Sequence, residues 1–314
     1  MIPALMLTAG LGTRVRPLSY VRTKGALPVA GEPLARRILR WLHANGVTDA
    51  VLNLHHLPHT LTSAVGDGSD LGLRVRYSWE NPVLGSAGGP RRALKILDAP
   101  RFLIVNGDVL TDLELGPVIE AHRASGALVT MAVVPNLEPG KYSGLAVSGN
   151  GDVTGVVPRG SGAPSQHFFG VQVVEREAFD AVPDGVPFET TSALYPSLIA
   201  ARPGSVRAFQ ATAEWLDIGT PTDYLETSLL LARREGRDGS AGARTRIEPG
   251  ARVEQSILWD DVVVEAGAML RECVVTDGTR VPAETSWRGV SLRTANGELA
   301  PGERRIGELA ISSL

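Results

Sequence analysis

Between Ala4 and Val134 the chain alternates apolar strands with helical segments, and this alternation narrows its fold more than any other feature. "ALMLTAG" is an apolar run that ends on glycine. "PLARRILRWLHANG" places Leu34, Ile38, Trp41 and Leu42 on one helical face and stops at Gly46. "DAVLNL" reads as a second strand, "LRVRYSWE" alternates with period two, and residues 87–97 read as a helix. "RFLIVNGD" is a buried strand stopping at Asn106-Gly107, "GPVIEAHRASG" a helix, and "ALVTMAVV" another strand. Such alternation implies the α/β class: a Rossmann-like, mostly parallel sheet with helices on both faces. Ligands of these sheets bind at the carboxyl ends of the strands. Thr8-Ala9-Gly10 and Asn106-Gly107-Asp108 both fall there.

From Asn136 to about Phe209 the pattern becomes strand-rich. "SGLAVSGNGDVTGVV" predicts a hairpin turning at Asn150-Gly151. "HFFGVQVV" is a strand, and "PFETTSALYPSLIAA" a helix with threonines near its start. "EWLDIGTPTDYLETSLLLARR" reads as a strand end, a turn, and a helix from Pro221. The glycine-rich "REGRDGSAGA" reads as a linker. Beyond it, Ala251, Ile257, Val263, Met269, Val275 and Val281 stand six residues apart. That period predicts a left-handed β-helix of hexapeptide turns, about two coils long, whose ends need cover from the first domain or another subunit. The expected domains are residues 1–232, a linker over 233–243, and the β-helix over 244–314.

A net charge of -3 without a basic block argues against a nucleic-acid polymer as the main ligand. Cys273 is the one cysteine, which excludes an internal disulfide and a cysteine-based zinc site. No apolar run approaches the roughly 20 residues that span a bilayer. The first five residues read as the opening strand rather than a signal peptide, so the expectation is a cytoplasmic protein with no membrane partner.

"LTAGLGTRVRPLS", Leu7–Ser19, could hold a dinucleotide, a nucleoside triphosphate, or nothing. A dinucleotide fingerprint needs a third glycine for close helix–strand packing, and Val15 stands in its place. The Gly-Lys-Ser/Thr of a Walker loop is absent. Glycines let backbone N–H groups face phosphate oxygens. Arg14 offers a forked grip on polyphosphate and Lys24 a second point charge, a combination that suits a triphosphate to be cleaved.

"LTAGLGTRVRPLSYVRTKGALPVAGEPL" resembles the signature of the sugar-1-phosphate nucleotidyltransferases, the nucleoside-diphosphate-sugar pyrophosphorylases. "LGSAGG" at Leu84–Gly89, "NGDVL" and "EWLDIGTPTDYL" resemble further motifs of that family, in its order, and a β-helix tail is common in it. Two departures stand out. The signature lysine is usually flanked by prolines but here lies in Thr23-Lys24-Gly25. The sugar-side G-F-x-E-K-P is replaced by Gly155-Val156-Val157-Pro158-Arg159-Gly160, with Arg159 where a phosphate-binding lysine would stand.

The resemblance implies attack by a sugar-1-phosphate oxygen on the α-phosphorus of an NTP, with pyrophosphate leaving. A phosphate monoester needs no general base, so catalysis rests on positioning and charge neutralisation. By resemblance Asp108 and Asp217 hold Mg²⁺, an ion that takes few carboxylates besides phosphate oxygens and water. Arg14 grips the β- and γ-phosphates, and Lys24 the α-phosphate or the sugar phosphate. Nucleotide contacts fall to Thr8, Ala9, Gly10, Leu11, Gly12, Thr13, Glu80, Gly85, Ser86 and Ala87. Gly144, Arg159, Gly170 and Glu189 match the sugar-phosphate pocket, although Glu189 could instead stabilise the start of its helix. A carboxylate at Glu80 would accept from guanine N1–H and N2–H₂, which favours GTP, and the sugar side favours mannose- or heptose-type phosphates. The alternative is a uridylyl- or thymidylyltransferase for glucose-, N-acetylglucosamine- or N-acetylmuramate-1-phosphate.

A non-catalytic binding subunit of the same fold would lose Arg14, Lys24, Asp108 or Asp217, and all four are present. A β-helix acyltransferase usually needs a histidine base on the coil, and no histidine follows His167. His55, His56 and His59 read as structural, with no cysteine or carboxylate at ligand spacing. A homo-oligomer is expected.

Overall fold

The computed structural model describes residues 2–296 and 299–314. Met1 of the expected first strand, and Gly297 and Glu298 of the expected coil domain, lie outside the described residues. The chain forms two compact units. One comprises Met1–Gly10, Arg36–Pro58 and Val65–Leu216; the other comprises Leu11–Ala35, His59–Ala64 and Asp217–Leu314. This division differs from the expected boundary at 232. The signature segment from Leu11 and the helix Pro221–Arg234 go with the coil, because Tyr224 is buried beside Trp259 and bonds the Pro28 carbonyl.

The first unit is built on a nine-stranded sheet. Strands Arg74–Trp79, Asp49–Leu54, Ala4–Leu7 and Arg101–Asn106 lie side by side and parallel, as their apolar runs predict. Gln166–Glu175 then runs antiparallel to Arg101–Asn106 and to Val129–Pro135, so the sheet is mixed. The hairpin of Gly144–Val147 and Val153–Val157 turns through Gly151 at φ 89°, a left-handed position that glycine adopts without strain. Leu5, Val51, Phe102, Ile104, Val129 and Val174 fill the core, where the Phe102 and Phe179 rings stack at 6.0 Å. The segment expected as one helix splits into a π-turn over Thr190–Leu194 and an α-helix over Tyr195–Ala201. His122 is buried, bonding Thr130 Oγ1 at 2.8 Å and Glu175 Oε1 at 3.2 Å. Burial pushes its pKa down, against the pull of Glu175, and burial lowers that of His167 too.

In the second unit the helix Pro221–Arg234 opens with Thr220 as N-cap, its Oγ1 accepting from the Asp223 N–H at 3.1 Å, and Pro221 following. The expected linker is partly ordered: Arg233 and Arg234 end that helix, and Ser240–Ala241 already pairs with Ile257–Leu258.

The coil beyond is a parallel β-helix of three stacked strand sets, but its repeat is not the expected six. Ser240 pairs Ile257, Ile257 pairs Val274, and Val274 pairs Ser291. Arg246, Val263 and Arg280 form a second stack, and Arg252, Met269 and Ser286 a third. Every step is 17 residues, so one side of each coil is a residue shorter than a strict hexapeptide. The mismatch shows in the burial. Met269 is 48% exposed, whereas its neighbour Leu270 and Val264, Val275 and Val281 point inward. Each corner holds a left-handed residue at the same spacing: Arg244, Asp261 and Gly278; Gln255, Glu272 and Gly289; Gly250, Gly267 and Glu284. The C-terminal end of the coil is covered from within. Leu309–Ser313 runs antiparallel along Val290–Thr294, and Leu309 and Ile311 close the apolar interior.

Candidate active site

The strand Ala4–Leu7 delivers Thr8 and Ala9 onto a polar platform inside the first unit. The Thr8 and Ala9 N–H groups both donate to Asn53 Oδ1, at 2.5 and 3.1 Å, and Thr8 Oγ1 donates to the Asn53 carbonyl at 2.5 Å. The Asn53 amide donates to Glu80 Oε1 at 2.7 Å, and the Leu84 N–H donates to Glu80 Oε2 at 2.8 Å. Asn53 is 3% exposed and Glu80 1%. This corrects the expectation for Glu80. Both of its oxygens are engaged and it is sealed from ligand, so it positions Asn53 rather than reading a base. Gly89 makes room for it, since a Cβ there would stand 2.5 Å from Glu80 Oε1. Asn53 escaped the sequence reading; its signal was a polar residue inside the apolar run "DAVLNL".

The helix Gly85–Leu97 follows directly, with Gly85 at φ 75°. Its first orphan donors are already satisfied, because the Ala87 and Gly88 N–H groups donate to the Phe188 carbonyl at 2.9 and 3.1 Å. Ser86 donates to Glu189 Oε2 through its N–H at 3.2 Å and through Oγ at 2.5 Å. Ala87 is fully buried with its N–H bonded, so its place among the nucleotide contacts is corrected as well. Glu189 caps the start of this helix, not of its own, and a Cβ on Gly85 would lie 2.5 Å from its Oε1.

Asp108 is half-buried in the turn joining Arg101–Asn106 to Val109–Thr111. That turn is locked to the first strand, as the Gly107 N–H donates to the Leu7 carbonyl at 3.0 Å with no room for a side chain. Gly170, at φ 94°, occupies a register shift in Gln166–Glu175, where a Cβ would meet Asn106 at 2.7 Å. Gly144 is likewise buried, with Ser165 Oγ where its Cβ would be. These two glycines serve close backbone approach. Arg159 is exposed just beyond the strand Val153–Val157.

In the second unit Gly10's successor Leu11 is exposed, and Gly12 takes φ 60° ahead of the 3₁₀ turn Thr13–Val15. The Gly12 carbonyl accepts from the Val15 N–H at 3.1 Å and from Ser19 Oγ at 2.8 Å. Arg14 projects from that turn, and its guanidinium and the carboxylates of Asp217 and Asp223 border the space over Gly219. A Cβ on Gly219 would lie 3.2 Å from Arg14 Nη1, 3.1 Å from Asp217 Oδ2 and 2.9 Å from Asp223 Oδ2. Asp223 is an addition that the sequence reading did not single out. Lys24 opens the 3₁₀ turn Lys24–Ala26 and is half-buried. Among the described residues no group of three or more His, Cys, Asp or Glu is placed to hold a metal. His55 Nδ1 bonds the Glu80 carbonyl at 2.9 Å, a structural contact. No helix among the described residues is long and apolar enough to cross a membrane.

Residues 3–234 match the family described as Nucleotidyl transferase. The chain belongs to the nucleotidyl transferase family. As its motifs imply, the nucleotidyl transferase is an enzyme of the sugar-1-phosphate class. It is 28% identical over 297 residues to a mannose-1-phosphate guanylyltransferase of Mycobacterium tuberculosis, covering 86% of this chain and 83% of that one. It is 34% identical over 234 residues to an N-acetylmuramate alpha-1-phosphate uridylyltransferase of Neisseria meningitidis serogroup B, covering 72% of this chain and 97% of that one. In structure it is similar to HddC from Yersinia pseudotuberculosis, with a TM-score of 0.65 at 23% identity over 74% of this chain and all of that one. That likeness speaks for the fold alone.

Proposed function

We propose that this nucleotidyl transferase condenses GTP with a mannose- or heptose-type sugar-1-phosphate, giving a GDP-sugar and pyrophosphate. The observation that carries the reading is that Arg14 of the signature segment and Asp217 of "EWLDIGTPTDYL" border the same space over Gly219, a cation and a carboxylate from two motifs. Arg14 holds the departing β- and γ-phosphates in a forked grip. Lys24 neutralises the α-phosphate or the incoming sugar phosphate. A sugar-phosphate oxygen attacks the α-phosphorus, the bond to the bridging oxygen breaks, and pyrophosphate takes the electron pair. Thr8 and Ala9 are held still by Asn53, so the loop is ordered before substrate arrives.

Asp108 and Asp217 are proposed to hold Mg²⁺, which when bound would neutralise phosphate charge. The donor set suits it: two half-buried carboxylates leave the remaining positions to phosphate and water. Arg159, Gly144 and Gly170 form the sugar-phosphate side in this reading. The preference for GTP and mannose rests on the guanylyltransferase relatives, since Glu80 no longer supports it. A uridylyl reading on an N-acetylmuramate-type phosphate is favoured by the 34% identity to the Neisseria relative. The enzyme is proposed to be cytoplasmic and homo-oligomeric.

The test is pyrophosphate release over four NTPs crossed with mannose-, heptose-, glucose-, N-acetylglucosamine- and N-acetylmuramate-1-phosphates, with Mg²⁺ or with EDTA. GTP with mannose- or heptose-1-phosphate should turn over fastest, and EDTA should stop it. Faster UTP turnover would replace the guanylyl reading. Asp108→Asn should abolish turnover with an unchanged circular dichroism spectrum, and near-normal activity removes Asp108 from the site.

A further inference from the structure

Arg22 stands two residues before Lys24 and grips the coil. Its Nε and Nη2 donate to Asp277 at 2.7 and 2.6 Å, and Nη2 donates to Asp260 at 2.6 Å. Its guanidinium carbon lies 5.4 Å from the centre of the Trp259 ring. Asp260 and Asp277 are one 17-residue repeat apart, at the same corner of successive coils. Each accepts from the coil before it: Asp260 Oδ1 from the Ala243 N–H at 2.7 Å, and Asp277 Oδ1 from the Asp260 N–H at 3.1 Å. Stacked carboxylates repel, and one guanidinium bonding both removes the repulsion. Its planar fork bonds the two at once, which a lysine cannot reproduce.

The segment is fastened again beyond Lys24. The Pro28 carbonyl accepts from Tyr224 OH at 2.7 Å, and that hydroxyl accepts from Trp259 Nε1 at 2.9 Å. The Ala30 carbonyl accepts from Arg237 Nη2 at 2.7 Å. Thus Trp259 takes part on both sides of Lys24, through the Arg22 guanidinium before it and through Tyr224 after it. The turn Lys24–Ala26 spans the short interval between these anchors.

We infer that Arg22 is a positioning residue: through Asp260, Asp277 and Trp259 the coil fixes where Lys24 presents its charge to phosphate. The inference rests on the proposed role of Lys24. It gives the β-helix a part in turnover besides capping the chain.

A double-mutant cycle on the full chain tests it, read by pyrophosphate release with the best substrate pair of the panel. Arg22→Ala and Asp277→Asn should each lower kcat by about tenfold or more, with KM for the NTP changing less than about threefold. Arg22→Lys should recover only part of the loss. In the Lys24→Ala background, adding Arg22→Ala should cost less than about twofold, because its effect runs through the lysine. Arg244→Ala breaks the exposed Arg244–Asp261 pair of the same coil and should leave kcat unchanged. Additive losses in the double variant, or a normal kcat in Arg22→Ala, overturn the inference and leave the proposed function standing. A fully active Lys24→Ala, or no turnover with any pair, overturns the proposed role of Lys24 and the inference with it. If Arg22→Ala does not fold, Asp277→Asn carries the same cycle.

Discussion

Thr8 and Ala9, at the start of the signature, rest on side chains that water hardly reaches, Asn53 and Glu80. Arg22, further along it, rests on the coil, where Asp260 and Asp277 keep 34% and 29% of their side chains exposed; the Pro28 carbonyl beyond it is bonded by the buried Tyr224. A dry network is held by geometry: every donor must find its acceptor, and a lost partner leaves a polar group stranded. A wet network is held by charge in a high effective dielectric, so it yields gradually and answers to salt. One segment is therefore set rigidly at Thr8 and Ala9 and adjustably at Arg22.

Substitutions can break this contrast. Glu80→Ala strands the Asn53 amide and the Leu84 N–H, and should cost about 3 kcal/mol in urea unfolding. A loss under about 1 kcal/mol would show that water enters the platform and that the contrast is false. On the coil, Leu270→Ala should cost about 2–4 kcal/mol, while Met269→Ala stays within about 0.5 kcal/mol. Equal losses would show that Met269 is packed as deeply as Leu270, contrary to its exposure. Gly89→Ala forces a Cβ against Glu80 Oε1 and should cost about 1–3 kcal/mol without altering salt sensitivity.

Salt sharpens the contrast further. Arg22→Ala should cost about 1 kcal/mol at low ionic strength and clearly less in 1 M NaCl, whereas the Glu80→Ala loss should not move. A salt-independent Arg22→Ala loss would place that anchor among the dry ones. The smallest effect concerns pH. His122 and His167 have folded pKa values pushed below the ordinary value by burial, so below about pH 6.5 the unfolded chain binds more protons than the folded one. Stability is present above that pH and falls as the pH drops toward the folded values. His122→Gln should flatten part of this slope, and an unchanged slope in thermal melts between pH 7 and 5 would absolve His122.

The strands and their ends were legible because apolar runs and their glycine stops are local signals. Arg14, Lys24, Asp108 and Asp217 were singled out because they sit in motifs. Glu80 was assigned to the base because nothing in "SWENP" marks a buried carboxylate, and only the fold shows that Gly89 opens a slot for it. Glu189 was assigned to the sugar-phosphate pocket, with its own helix as the alternative, because the helix it caps lies about 100 residues earlier in the sequence, across a tertiary contact. The coil was recognised with the wrong period, since two sides of each turn are six residues long and aliphatics cluster near every strand. Columns 17 apart were there to be read: Glu248 with Glu265, Gly250 with Gly267, Asp260 with Asp277. Arg22 carried no local signal, because its partners lie more than 230 residues away.

The antiparallel return of Leu309–Ser313 along Val290–Thr294 also limits how the coil can grow. A reversed strand offers no parallel edge in register, so no further turn of the coil can stack on that face. The coil lengthens instead upstream of Val290, by whole turns that keep all three stacks aligned, and a 17-residue turn does so without changing the length of any side.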